Sequence, residues 1–512
     1  MPDSADPAGQ AGIGDRGSQA GTAGAIGQRE RAIPAPPLRF GTKLAFGFGA
    51  IAPGVIKSGF SFFLLIFYSQ VVGLDAWYVG LAVTIALLFD AISDPVVGYW
   101  SDNLRSRWGR RHPFMYAAAL PVSASFFFLW VPPIDASQTT LFWYLVILSI
   151  IIRTAVTFYH TPNSALAPDL TSDYNERTKL YSLRYLIAWT GANMLGVVMF
   201  IAVFPRYQND QYEAGQFNPE AYVTFGLIGS LIILTSILVS SLGTHARIPH
   251  LNAPPPAREM SIGLVFRELF ETLSERSFIA LFVAALFAAV ASGMSTGMSL
   301  IFMTYFWGFS EEQIGIFSLT TFAAAFIGFI LAPIVSRTIG KKKGAMVVGL
   351  VAFGGYPLPI VLRLMDVLPP NGTPFIFIFV SIVNIVDTGL IICFQILFAS
   401  MIADLVEQSE LKTGRRSEGV FTAAETFVKK AVEGLGVLFA SAVLWLAQVE
   451  RGADRSEVSP ESIWSMGFYY VPMVLSLWLI MIAVISTYRI DEEKHNENLR
   501  NLKKHPEAAS FE

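Results

Sequence analysis

The chain has 512 residues, of which 53 % are hydrophobic, 13 % aromatic and only 15 % charged. Soluble domains carry roughly a quarter charged residues, so this chain lacks the surface of a water-soluble protein and points to lipid as its solvent. The formal charge of −3 excludes bulk electrostatic binding to nucleic acid, and the single cysteine, Cys393, excludes an intrachain disulfide or a cysteine-based zinc or iron–sulfur site.

Residues 1–38 are rich in Gly, Ala, Ser, Pro and Asp without an apolar run, which predicts a disordered cytoplasmic tail and not a cleaved signal. Twelve apolar runs follow, each near the ~20 helical residues that cross a bilayer. Their approximate limits are 41–69, 77–101, 114–132, 140–162, 180–204 and 220–245, then 277–308, 314–338, 345–365, 373–400, 419–447 and 463–488. They are long and continuous, without the alternation of a membrane barrel, so an all-α membrane protein is expected. The charged stretch 489–512 is expected to be a second cytoplasmic tail.

Arg and Lys cluster in alternate loops. Arg105, Arg107, Arg110 and Arg111 follow the second span, and Arg337 with Lys341, Lys342 and Lys343 follow the eighth. Arg247, Arg258, Arg267 and Arg276 join the sixth to the seventh, while 70–76, 133–139 and 309–313 hold no Arg or Lys. By the positive-inside rule both termini are cytoplasmic.

Charges inside the spans cost at least about 2.5 kcal/mol each and so mark function. In the second span, Phe89-Asp90-Ala-Ile-Ser93-Asp94-Pro95 sets two carboxylates one turn apart on one helix face. They suit a hard monovalent cation (sodium) or one shared proton, and Pro95 frees a carbonyl a turn earlier. A salt bridge to a basic residue of a neighbouring span would also neutralise them. Lys57, Arg153, His160, Arg184 and Asp387 complete the set outside the eleventh span and describe a polar, partly basic cavity. In the eleventh, Glu425, Lys429 and Glu433 are spaced as an ion-pair ladder, Glu425 being counted with the substrate-facing residues. Lys430 lies off that row and could reach the paired aspartates.

The long loop 246–276, with Pro254-Pro255-Pro256, divides the chain into bundles 39–245 and 277–488. Gly98-Tyr-Trp-Ser-Asp102 with Gly109-Arg110-Arg111 closes span two, and Ala332-Pro-Ile-Val-Ser336 with Gly340-Lys341-Lys342 closes span eight. Two pseudo-symmetric six-helix bundles of this kind make the major facilitator fold, whose substrate site lies at mid-membrane between them.

The run from Phe89 to Asp102 with Arg105 to Phe114 resembles the motif of the glycoside–pentoside–hexuronide:cation symporters. The segments Pro162–Leu166, Leu170–Thr178, Met401–Asp404 with Thr413–Arg416, and Phe421–Lys430 resemble it too, so the likeness covers about 40–490. Melibiose carriers and sodium-dependent lysophospholipid carriers belong to that family. The resemblance implies a cation site at Asp90 and Asp94, with Lys430 beside it and Thr426 as a neighbouring ligand, and places Arg184 in the substrate site. Gly54, His160 and Ser164 stand where melibiose carriers have sugar-site aspartates and a stacking tryptophan, so an α-galactoside is disfavoured. The donors Lys57, Arg153, His160 and Arg184 suit an acidic glycoside or uronide.

The expected activity is symport of that substrate with sodium or a proton in a bacterial inner membrane, without an organic cofactor or nucleic acid. Asp102, Arg110, Arg111, Asp169, Glu176 and Arg177 are expected to pair and latch the cytoplasmic side of the outward-facing state. Lysolipid transport on the same fold is an alternative. Asp90-x-x-x-Asp94 with Asp169-x-x-x-Asp173 also resembles the paired motifs of intramembrane prenyltransferases, which need both motifs in one chamber. No nucleotide-binding G-x-x-x-x-G-K-[ST] loop is present.

Overall fold

The computed structural model describes residues 38–171, 174–251, 276–355, 357–413, 434–450 and 458–487. Ten helices among them are long and apolar enough to cross a membrane, which makes this a multi-pass membrane protein. In chain order the helices are α1 (Phe40–Val71), α2 (Ala76–Asn103), α3 (His112–Leu129), α4 (Gln138–Leu170), α5 (Tyr174–Val198) and α6 (Pro219–His245). The second half holds α7 (Arg276–Ile301), α8 (Glu311–Ile339), α9 (Lys341–Gly355), α10 (Leu358–Leu364), α11 (Pro374–Thr413), α12 (Gly434–Leu446) and α13 (Pro460–Ser486).

One of the twelve expected spans differs from a single long helix. The ninth is divided between α9 and α10, where Gly354, Gly355 and Pro357 weaken the backbone ladder. The eleventh is described only as α12, because 414–433 lie outside the described residues.

Helix starts follow the capping chemistry of their sequences. Asp75, Ser137, Asn218 and Ser459 accept backbone N–H bonds at the starts of α2, α4, α6 and α13, and Ser310 with Gln313 forms a capping box on α8.

The packing repeats after six spans. In the first half α2 packs on α4, α3 on both α4 and α6, and α1 on α5 and α6. In the second half α8 packs on α11, α9 on α11 and α13, and α7 on α13, the same pairings shifted by one bundle. Backbone detail repeats as well. A π-helical turn at Phe67–Val71 ends α1 and another at Phe302–Phe306 follows α7, each leading to a glycine of positive φ, Gly73 at 79° and Gly308 at 67°. Side chains are strained at such φ, so glycine closes both turns.

Candidate functional site

The centre of the first half is built where α2 meets α4. Asp90 is 1 % exposed and Asp94, one turn on, is half-buried. Both turn to α4, where the Thr157 hydroxyl lies 3.0 Å from Asp90 Oδ1 and 2.8 Å from Asp94 Oδ1. The same hydroxyl lies 3.0 Å from the Arg153 carbonyl. It has one proton to donate and three oxygens placed to accept it. Oxygens gathered so closely away from water suit a monovalent cation or a shared proton. Two carboxylates, a hydroxyl and a carbonyl form a hard donor set that fits sodium. Among the described residues no three His, Cys, Asp or Glu come together to hold a metal ion.

Arg153, expected among the substrate ligands, stands beside Asp90. Its Nη1 lies 3.7 Å from Asp90 Oδ2, and its guanidinium rests over the Phe60 ring at 4.8 Å. A buried carboxylate draws the nearest guanidinium to it, so Arg153 belongs to the cluster of acids. The salt bridge that the sequence left open therefore coexists with the converging oxygens.

Arg184 forms a second cluster with Ser164. Arg184 is 9 % exposed, donates from Nη2 to Ser164 Oγ at 2.9 Å and from Nη1 to the Asn163 carbonyl at 3.4 Å, and stacks over Phe46 at 5.0 Å. Arg153, Thr157, His160 and Ser164 recur every three or four residues, so one stripe of α4 joins the two clusters. His160 is half-buried on that stripe, whereas Lys57 is exposed. Glu425, Thr426 and Lys430 lie outside the described residues.

At the arginine-rich end of the molecule, Arg110 and Arg111 both pair with Asp169 Oδ2, at 3.0 and 2.5 Å. Arg111 also donates to the Ala165 carbonyl. Glu176 pairs with Lys43 at 2.6 Å. These ion pairs join parts of the first half to one another at the end where a cytoplasmic latch is expected. The side chains of Asp102 and Arg177 lie outside the described residues. Asp169 also stands twelve residues beyond Thr157 on α4, about 18 Å at the rise of a helix, so the two aspartate motifs do not share the chamber an intramembrane prenyltransferase needs.

The contacts between halves include a group at the opposite end, which the sequence did not reveal. Glu311, at the start of α8 and 4 % exposed, accepts bonds from Gln208 Nε2 at 2.8 Å and from the Gln216 backbone N–H at 2.7 Å. Gln216 Nε2 reaches Thr304 Oγ1 at 3.2 Å. Closer to mid-chain depth, Thr84 of α2 donates to the Gly434 carbonyl of α12 at 3.0 Å, and Trp189 of α5 meets Phe322 of α8 edge-on at 4.9 Å. The protein is closed at this end.

Comparison with known proteins agrees with this architecture. Residues 45–492 match the family model described as MFS/sugar transport protein. An uncharacterized symporter of Synechocystis sp. is 24 % identical over 92 % of this chain and 98 % of its own length. The sodium-dependent lysophosphatidylcholine symporter 1 of Gallus gallus is 25 % identical over 90 % of this chain and 88 % of its own. The solved structure of a bacterial homologue of the human drug peptide transporters superposes with a TM-score of 0.59 at 12 % identity, covering 91 % of this chain and 99 % of that one. The chain belongs to the MFS/sugar transport protein family and has the major facilitator fold, a transporter and not an enzyme.

Proposed function

We propose that the protein is a cation-coupled symporter of an acidic glycoside or uronide, working by alternating access. The observation that carries this reading is the meeting of Asp90, Asp94 and Thr157 around one point. Sodium or a proton is the coupling ion there, with Arg153 holding Asp90 and with Lys430 and Thr426 completing the site from the eleventh span. The similarity to symporters supports the coupling, and the family description supports a sugar-like substrate. Arg184 and Ser164 are the substrate's first contacts, and Lys57, His160 and Glu425 are its further candidates. A guanidinium held in place by its stacking on an aromatic ring recognises a carboxylate well, since its planar fork matches the two oxygens.

The arginine-rich loops support cytoplasmic termini, and the family with its short loops supports the cell's inner membrane. The closed end at Glu311 is then external. Ion binding that raises substrate affinity implies that substrate raises ion affinity by the same factor.

A lysolipid is the second reading. The Gallus gallus relative favours it, and the half-buried rings of Trp189 and Phe322 offer apolar surface where the two halves meet. Melting shifts of the purified protein with neutral glycosides, uronides and lysophospholipids, each in NaCl and in KCl, separate the two. A sodium-dependent rise with a uronide, lost in Asp94→Asn, is expected. A rise with lysolipid alone would transfer the substrate to the second class, and no difference between NaCl and KCl with any ligand would exclude sodium as the coupling ion.

A further inference from the structure

Asp387 stands apart from every other acid discussed above. It lies near the middle of α11, in the second half, and is 4 % exposed. Asp90 has Arg153 and Thr157, Asp169 has two arginines, Glu176 has Lys43 and Glu311 has two glutamines. Among the described residues, Asp387 Oδ2 is buried with no hydrogen-bond partner. Among the described residues, the helices packed against α11 place no titratable side chain at its depth. Among them, α7 carries Arg276, α8 carries Glu311, Glu312 and Arg337, and α9 carries Lys341, Lys342 and Lys343, all at helix ends. Cys393, on α11 itself, is six residues away and falls on another face.

What does face Asp387 is the end of α9. A Cβ built on Gly355, the last residue of that helix, would lie 3.5 Å from Asp387 Oδ1. A helix C-terminus presents carbonyl oxygens and the negative end of the macrodipole, a setting that repels a carboxylate and accepts a bond from a protonated acid. A bare carboxylate buried there, with no cation in contact among the described residues, would cost several kcal/mol.

There is also room for water close by. Val380, Val383, Asn384 and Asp387 fall on one face of α11. The first three line a cavity of about 60 Å³ whose polar lining is Ser299, Asn384 and Tyr470. That exceeds the roughly 10–15 Å³ a single water needs. Asn384 in turn donates to Thr320 Oγ1 at 3.1 Å and accepts from Thr388 at 3.4 Å, so a polar line runs beside the acid.

We propose that Asp387 is a proton-binding site of the second half, separate from the ion site at Asp90 and Asp94. Its carboxylate takes a proton from water reaching it along the cavity and becomes a neutral acid donating to the end of α9. Releasing the proton puts a charge against the carbonyl end of α9. The site does not depend on the symport reading, since it would bind a proton whichever ion Asp90 and Asp94 take.

Infrared spectra of the full-length protein in lipid test this. Wild type at neutral pH is expected to show the carbonyl stretch of a protonated carboxylic acid, unchanged by NaCl, retained in Asp94→Asn and missing in Asp387→Asn. A proton shared by Asp90 and Asp94 would instead give a band that NaCl and Asp94→Asn remove, so failure of either idea is distinguishable. Identical spectra for wild type and Asp387→Asn would overturn the proposal. Should that variant fail to fold, a hydrophobic carbodiimide, which reacts with protonated carboxyls, is mapped on wild type by peptide mass spectrometry. An adduct at Asp387 is expected whether or not sodium is present, and its absence would equally overturn the proposal.

Discussion

Tyr305 donates a hydrogen bond to Gln70 at 3.3 Å across 235 residues, and that separation is also the offset between the two halves. Gly73 and Gly308, and the π-helical turns before them, stand at the same offset. The two residues therefore occupy equivalent places and meet each other, as contacts near a pseudo-two-fold axis must. Around them Phe217 packs on Tyr305 at 5.8 Å, and Gln216 and Glu311 complete the closure. In an alternating-access carrier this patch must come apart in every cycle, which suits polar contacts more than a sealed apolar interface.

Glu311→Ala should open that end. It leaves the Gln208 and Gln216 donors without their acceptor, a loss of about 1–3 kcal/mol for buried groups, or roughly tenfold or more in the closed population. Spin labels on the outer ends of α6 and α8 should report a longer distance than in wild type. Unchanged distances would show that Glu311 does not hold the closure.

Arg153→Gln should destabilise the protein by about 3 kcal/mol, because Asp90 is left buried beside a neutral group. Adding Asp90→Asn should recover much of that loss, which a double-mutant cycle of melting or denaturant midpoints would measure. Additive losses would place Arg153 with the substrate after all.

Gly436→Ala should lower stability by about 1–3 kcal/mol through overpacking. A Cβ there would lie 2.6 Å from Gly293 Cα and 2.7 Å from the Val290 carbonyl, both backbone atoms that cannot swing aside. Gly354→Ala is the control, since a Cβ there meets nothing within 4 Å. Midpoints of thermal unfolding for the two variants give the comparison.

The paired aspartates were legible in the sequence because a charge at bilayer depth is conspicuous and a spacing of four fixes its face. The long spans and the duplication were legible for similar reasons of length and repetition. Thr157 was not, since hydroxyls are ordinary in apolar helices. Only the packing of α2 on α4 distinguishes it, although its place one turn after Arg153 was a usable signal. Arg153 showed that it needed a partner without showing which span would supply one. The division of the ninth span could have been read from Gly354, Gly355 and Pro357, whereas the closure at Glu311 sits in and beside loops where polar residues cost nothing. Lys43, the partner of Glu176, gave no sign of its role for the same reason.

Radioactive sodium binding to the purified protein in lipid, for wild type, Thr157→Val, Thr157→Ser and Asp94→Asn, tests the central claim most directly. Wild type and Thr157→Ser should bind in the same range, because the hydroxyl is kept. Thr157→Val should bind about tenfold more weakly, the worth of one hydrogen-bonding group on an ion, and Asp94→Asn should lose saturable binding. If the coupling ion is a proton, the same pattern appears as proton uptake measured with a pH indicator in place of sodium binding. Equal binding of both ions by wild type and Asp94→Asn would contradict the account.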